Sequence, residues 1–155
     1  MDLEDAVAPE KKAEARGMVL EELVRGGFGR REVAVRANGL DTEWAEVDLA
    51  MIAMSGAHAV VLPKVESGAT VLHARALLAK HNAPPGLAIW SMIETPIGVL
   101  RAEEICIAGK GSGGGAVPNA MTAVIMGTSD LTKELRYIYT YKYIIFTYYI
   151  LCICV

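Results

Sequence analysis

The chain has 155 residues, 53% hydrophobic and 21% charged, with a net charge of −3. That composition suits one globular domain and excludes a disordered chain. The charge excludes a general electrostatic basis for nucleic-acid binding. Of the three cysteines, Cys106 stands alone and Cys152 and Cys154 sit in the tail, so neither a zinc spacing nor a disulfide framework is present. A reducing compartment follows. The acidic start, with Asp2, Glu4 and Asp5, is the opposite of a basic leader. With no targeting signal visible, a cytoplasmic or mitochondrial-matrix location is expected.

Asp2 to Val7 reads as the end of a strand and its loop. Pro9 suits a helix first turn, and apolar residues at Ala15, Val19, Leu20 and Leu23 predict a helix over 11–24, closed by Gly26, Gly27 and Gly29. Val33 to Val35 is a short strand ending at Arg36. Asp41 or Thr42 is placed to cap the next helix, with Trp44, Val47, Ala50, Met51 and Met54 as its packed side. Ala59 to Leu62 is continuously apolar, as in a buried parallel strand, and ends at Pro63, Lys64, Val65 and Glu66. Ser67 caps a helix carrying Val71, Leu72, Ala74, Leu77 and Leu78. Leu87 to Ile93 is a strand that stops at Glu94, and Gly98 to Ala108 is a helix. The Gly-rich stretch 109–119 matches no phosphate-binding fingerprint and reads as a surface loop. Met121 to Met126 is the last strand, and a helix begins near Asp130.

Polar strand-ends thus recur at Asp5, Arg36, Lys64, Glu94 and Asp130, at the ~30-residue interval of a βα unit. About five such units form part of a (β/α)₈ TIM barrel, with a doubly wound sheet as the alternative. A reactive residue after every strand favours the barrel, whose sites are built from strand ends.

Glu94 and Asp130 end consecutive strands on one face. Two carboxylates there suit a hard cation such as Mg²⁺ or acid–base work. The plainer reading is a helix cap for Asp130 and a buried ion pair for Glu94. The planar fork of Arg36 matches a carboxylate, either a substrate's or that of Glu4, Asp5 or Glu66. Lys64 pairs with Glu4 or Glu66, or meets an anionic substrate. A Schiff-base role for it requires a depressed pKa.

The composition changes after Arg136. All six tyrosines lie between Tyr137 and Tyr149, and Lys142 is the only charge from there to Val155. The division expected is a domain at 1–136 and a hydrophobic Tyr/Ile-rich tail at 137–155. As a membrane anchor the tail is short: the 13 uncharged residues from Tyr143 compare with the ~20 that a spanning helix needs, and an aggregation-prone segment is at least as good a reading.

Five ordered motifs carry a resemblance: DLEDAV with KKAEAR (2–16), VRANGLDTEW (35–44), VVLPKVES (60–67), IWSMIETPIGVLRAEEI (89–105) and VIMGTSDLTKEL (124–135). Together they resemble the HpcH/HpaI aldolase and citrate lyase β-subunit family, in particular its acyl-CoA lyase branch. The resemblance implies a TIM barrel, Mg²⁺, and cleavage or formation of a carbon–carbon bond beside a carbonyl. The substrates implied are a 2-oxo acid and a CoA thioester, handled by a homo-oligomer. Glu94 and Asp130 then look like the metal ligands, with Glu94 and Glu66 also facing substrate. Arg36 looks like the keto-acid clamp, with Glu4, Asp5 and Lys64 beside it as catalytic support. Against that pattern, a first strand and helix and the strands after GTSDL are missing, so a barrel truncated at both ends is expected. An inactive fragment or a non-catalytic subunit of a lyase complex is the alternative.

Overall fold

The computed structural model describes residues 1–111 and 117–135, and the backbone of Ile153–Cys154. The tail from 137 and the centre of the Gly-rich loop, 112–116, otherwise lie outside the described residues.

Strands and helices alternate. A 3₁₀ turn at Pro9–Lys11 leads into α1 (Lys12–Arg25), followed by β1 (Ala34–Arg36) and α2 (Ala45–Met54). Next come β2 (Ala59–Leu62), α3 (Gly68–Lys80) and β3 (Ala88–Ile93). Two short helices follow, α4 (Pro96–Leu100) and α5 (Ala102–Lys110), then β4 (Met121–Met126) and α6 (Thr128–Glu134). Strands β1 to β4 pair in parallel and in chain order. A doubly wound sheet reverses its order at a switch point. Sequential order with right-handed crossovers instead puts the helices on one face, as in a barrel wall. The first unit contributes only a parallel bridge, Asp2 to Arg36, in place of a strand. Backbone at Ile153–Cys154, named β5, pairs antiparallel with β4.

The core fills the space between sheet and helices. Strand β2 is buried along its whole length, so its run is apolar throughout rather than alternating. Strand β3 alternates: Ile89, Ser91 and Ile93 are buried, while Ala88, Trp90 and Met92 are half-buried. Leu49 and Ile52 of α2, Val71 and Leu78 of α3 and Ile105 of α5 pack with Val35, Val60, Leu62 and Ile89. Ser67 caps α3 by accepting the Thr70 N–H at 3.3 Å, a contact worth ~1 kcal/mol. At the opposite end of the sheet from Glu94, buried Asn119 sits at φ +51°. Its Nδ2 donates to the carbonyls of Pro84 (2.8 Å) and Leu87 (2.9 Å), tying the loops before β3 and β4 together.

Three helices differ from expectation. The buried side of α2 is Ala45, Asp48, Leu49, Met51, Ile52 and Ala53, while Val47 and Met54 are exposed. Hydropathy points an aspartate outward, but Asp48 is drawn inward by Arg16 and Asn38. Neither Asp41 nor Thr42 caps this helix; the Thr42 hydroxyl donates to Gly39 O at 2.7 Å. The helix expected from Gly98 begins at Pro96 under a Thr95 cap and breaks at Arg101. It seats closely, for a Cβ at Gly98 would lie 2.7 Å from Val65 O. Finally, α6 begins at Thr128, which places Asp130 inside the first turn and not at the cap.

Candidate active site

Each strand delivers a polar group at its C-terminal end. Asp5, Lys64, Glu94, Thr95, Asp130, Lys133 and Glu134 line one cleft of about 610 Å³. Four of the residues singled out by sequence, Asp5, Lys64, Glu94 and Asp130, are therefore brought together there.

Glu94 is buried, with 3% of its surface exposed. Its Oε1 accepts the Lys64 N–H at 2.8 Å. Lys64 reaches this position with φ at +49°, an uncommon conformation for a side-chain-bearing residue. Burial pushes the Glu94 carboxyl above its ordinary pKa; the Lys64 amide opposes this, and the charges of Glu4 and Asp130 add to the rise. Asp130 goes the other way. Its Oδ1 takes a hydrogen bond from Lys133 Nζ at 2.7 Å, which lowers its pKa against some burial, with help from the charges of Lys133, Lys64 and Arg36. A buried carboxyl whose ionisation is made costlier by a neighbouring carboxylate, as Glu94's is by Asp130, is a setting a cation relieves. The donor set, two carboxylates open to one cleft, fits Mg²⁺, which takes one or two carboxylates and completes its shell with water and substrate oxygens. Among the described residues, no group of three or more His, Cys, Asp or Glu side chains is arranged to hold a metal ion by itself.

Behind the cleft stands an ion-pair chain. Arg36 Nε and Nη2 meet Asp2 at 2.8 and 2.5 Å, and Nη1 meets Glu4 Oε2 at 2.7 Å. Glu4 Oε1 in turn accepts from Lys64 Nζ at 3.0 Å. The Arg36 pKa is raised, first by its hydrogen bond with Asp2. Lys64 is also raised, by its hydrogen bond with Glu4 against burial and by the charges of Glu4, Asp5 and Glu94. It is thus held as an ammonium, the reverse of what a Schiff-base lysine needs. Arg36 has five N–H donors, of which three are spent on Asp2 and Glu4, and it is not among the residues that line the cleft. Glu66 does not join the Glu94 cleft. It lines a neighbouring one of about 670 Å³ with Gly39, Ser67, Thr70 and His73, which Lys64 and Thr95 border as well.

Sequence reasoning missed Asp2, Lys133 and Gly127. Asp2 and Glu4 are two apart in a bend where the Glu4 N–H donates to Asp2 Oδ1 at 3.0 Å, and both reach Arg36. Lys133 lies three after Asp130 on a helix, a spacing that pairs side chains. Gly127 had no local signal; its role is to leave room for Glu94.

A sequence model of the HpcH/HpaI aldolase/citrate lyase family matches residues 1–144. The chain belongs to that family. It is 40% identical over 134 residues to a (3S)-malyl-CoA thioesterase of Cereibacter sphaeroides (strain ATCC 17025 / ATH 2.4.3), covering 86% of this chain and 41% of that protein. With citrate lyase subunit beta of Escherichia coli (strain K12) it shares 33% identity over 140 residues, 87% of this chain and 43% of the relative. The chain therefore spans less than half the length of these curated relatives. Among solved structures it resembles CitE from Mycobacterium tuberculosis in complex with magnesium and acetoacetate. That match has TM-score 0.62 and 27% identity and covers 92% of this chain and 49% of that one. The same bacterium's citrate lyase beta subunit has also been crystallised with oxaloacetate and magnesium, at TM-score 0.62 and 26% identity, covering 92% of this chain and 53% of that one. With these relatives the sheet is part of a TIM-type barrel. Among the described residues, no helix is long and apolar enough to cross a membrane.

Proposed function

We propose that the chain carries the metal- and keto-acid-binding part of a Mg²⁺-dependent carbon–carbon lyase acting on a 2-oxo acid and a CoA thioester. The observation that carries this reading is the convergence of Asp5, Lys64, Glu94 and Asp130, from four separate segments at the C-terminal end of the sheet, on one cleft. The magnesium and oxaloacetate or acetoacetate complexes of the M. tuberculosis proteins support it.

In this reading Glu94 and Asp130 hold Mg²⁺. Bound there, the ion supplies Lewis-acid polarisation of a 2-oxo group. Arg36 offers its uncommitted N–H groups to the substrate carboxylate while Asp2 and Glu4 hold its plane. Pre-set donors of this kind lower the cost of orienting substrate. The Lys64 ammonium adds positive charge at the cleft, which stabilises anionic character developing there. Asp5, on the cleft rim, and Glu66, in the adjoining cleft, are polar support to the same site.

A second reading has its own observation. The relatives at 40% identity are named thioesterases, so hydrolysis of the thioester is the competing reaction. Product analysis separates the two with malyl-CoA as probe: lysis gives glyoxylate and acetyl-CoA, and hydrolysis gives malate and free CoA.

The metal assignment is tested by titrating the chain with Mg²⁺ calorimetrically, alone and with oxaloacetate. Glu94→Gln and Asp130→Asn each weaken binding by at least about tenfold, as loss of one of two charged ligands implies. Undiminished binding after both substitutions overturns the assignment.

A further inference from the structure

Helices α1 and α2 are joined by two polar rungs. Lys12 and Arg16 lie four residues apart on α1, and Trp44 and Asp48 four apart at the start of α2, so each pair shares a face. Lys12 Nζ stands 5.4 Å from the centre of the Trp44 ring. Arg16 Nε meets Asp48 Oδ1 at 2.7 Å. Lys12 is 6% exposed and Asp48 0%.

Both buried charges spend their remaining hydrogen bonds on strand-end segments. Lys12 Nζ donates to the carbonyls of Leu3 and Glu4, each at 2.7 Å, and has no carboxylate partner among the described residues. Asp48 Oδ2 accepts from Asn38 N at 3.0 Å and Asn38 Nδ2 at 2.6 Å. Glu4 and Arg36 lie on these same two segments, and their side chains meet at 2.7 Å. The circuit closes: Lys12, Glu4, Arg36, Asn38, Asp48, Arg16. Two helices need no charge to pack, and apolar residues there would avoid the desolvation cost of buried ions. Aiming each charge at the backbone that carries Glu4 or Arg36 is what an apolar seam would not achieve.

We propose that Lys12 and Asp48 are positioning residues, which set the Glu4–Arg36 pair in register for the site through the α1–α2 seam. The inference rests on the reading of Arg36 as substrate clamp. Lys12 anchors the backbone of Glu4, and Asp48 anchors Asn38, two residues beyond Arg36. Neither touches substrate.

The test is the water-exchange rate of the Arg36 Nη1–H protons, whose nitrogen meets Glu4, read by ¹H–¹⁵N NMR on the 155-residue chain without metal or substrate. Lys12→Met speeds that exchange by about fivefold, on the scale of losing one side-chain hydrogen bond, and Lys12→Arg restores it. A merely structural role lowers the melting temperature and leaves the folded molecule's exchange rate unchanged; that result overturns the proposal. If Lys12→Met does not fold, Trp44→Leu and Asp48→Asn are read by the same rule: faster exchange supports the proposal, unchanged exchange overturns it. Because no ligand is present, failure of the metal assignment shows only in the Mg²⁺ titration, and failure of the seam only in the exchange rate.

Discussion

Gly127 lies so close to Glu94 that only a hydrogen fits between them. A Cβ on Gly127 would stand 2.5 Å from Glu94 Cβ and 2.6 Å from its Oε2. The backbone is not the constraint, since Gly127 has φ −85°, which any residue adopts. Gly127→Ala therefore displaces the carboxylate. The expected outcome is a loss of about 1–3 kcal/mol in thermal stability, the usual range for overpacking, together with weaker Mg²⁺ binding. A melt and a Mg²⁺ titration check both; an unchanged affinity would show that Glu94 is not held by this contact.

Glu94 sets a pH dependence of definite sign. Burial raises its pKa in the fold, so the folded state binds this proton more readily than the unfolded chain does. Its ionisation costs stability, and the contribution of the neutral form is lost as pH rises through the raised value. Glu94→Gln removes that slope. Mg²⁺ favours the ionised form, so it raises the melting temperature of the parent chain above that pH and leaves the variant unmoved.

Asp2 behaves in the opposite sense. Burial raises its carboxyl, but the hydrogen bond from Arg36, the Glu4 amide and the Arg36 charge outweigh it, and the net pKa is lowered. Its contribution is present above the ordinary value of 3.8 and disappears as pH falls through the depressed one. Asp2→Asn costs about 1–2 kcal/mol near neutrality, the range for a partly screened charge-assisted pair. Denaturation across pH 7 to 2 should show the two stabilities converging at the acid end.

Asn119 is the structural counterpart at the far end of the sheet. Removing its Nδ2 leaves the Pro84 and Leu87 carbonyls without that donor, and φ of +51° disfavours alanine. Asn119→Ala should cost about 2–4 kcal/mol in a denaturant titration. Asn119→Gly, which relieves the backbone but not the lost bonds, should cost less.

Much of this protein was legible in its local pattern. The continuous apolar run Ala59–Leu62 is a strand from end to end, because burial on both faces of a parallel sheet is written directly as hydropathy; the run Met121–Met126 is likewise a strand, with Thr122 exposed. The Ser67 cap and the polar residue after each strand were equally readable, since a chain that stops being apolar has reached the edge of the core. Those strand ends include Lys64, Glu94 and Asp130, which the fold brings to one cleft. What the tertiary structure alone decided is which charges are spent on one another. Arg36 takes Asp2 and Glu4 from more than thirty residues away. Asp48 turns α2 inward because Arg16 and Asn38 wait for it. Gly127 is a glycine for the sake of Glu94 on the neighbouring strand. Periodicity and propensity are sums over near neighbours along the chain. Pairing of buried charges depends on register between strands and on the angle between helices, which only the packed fold sets.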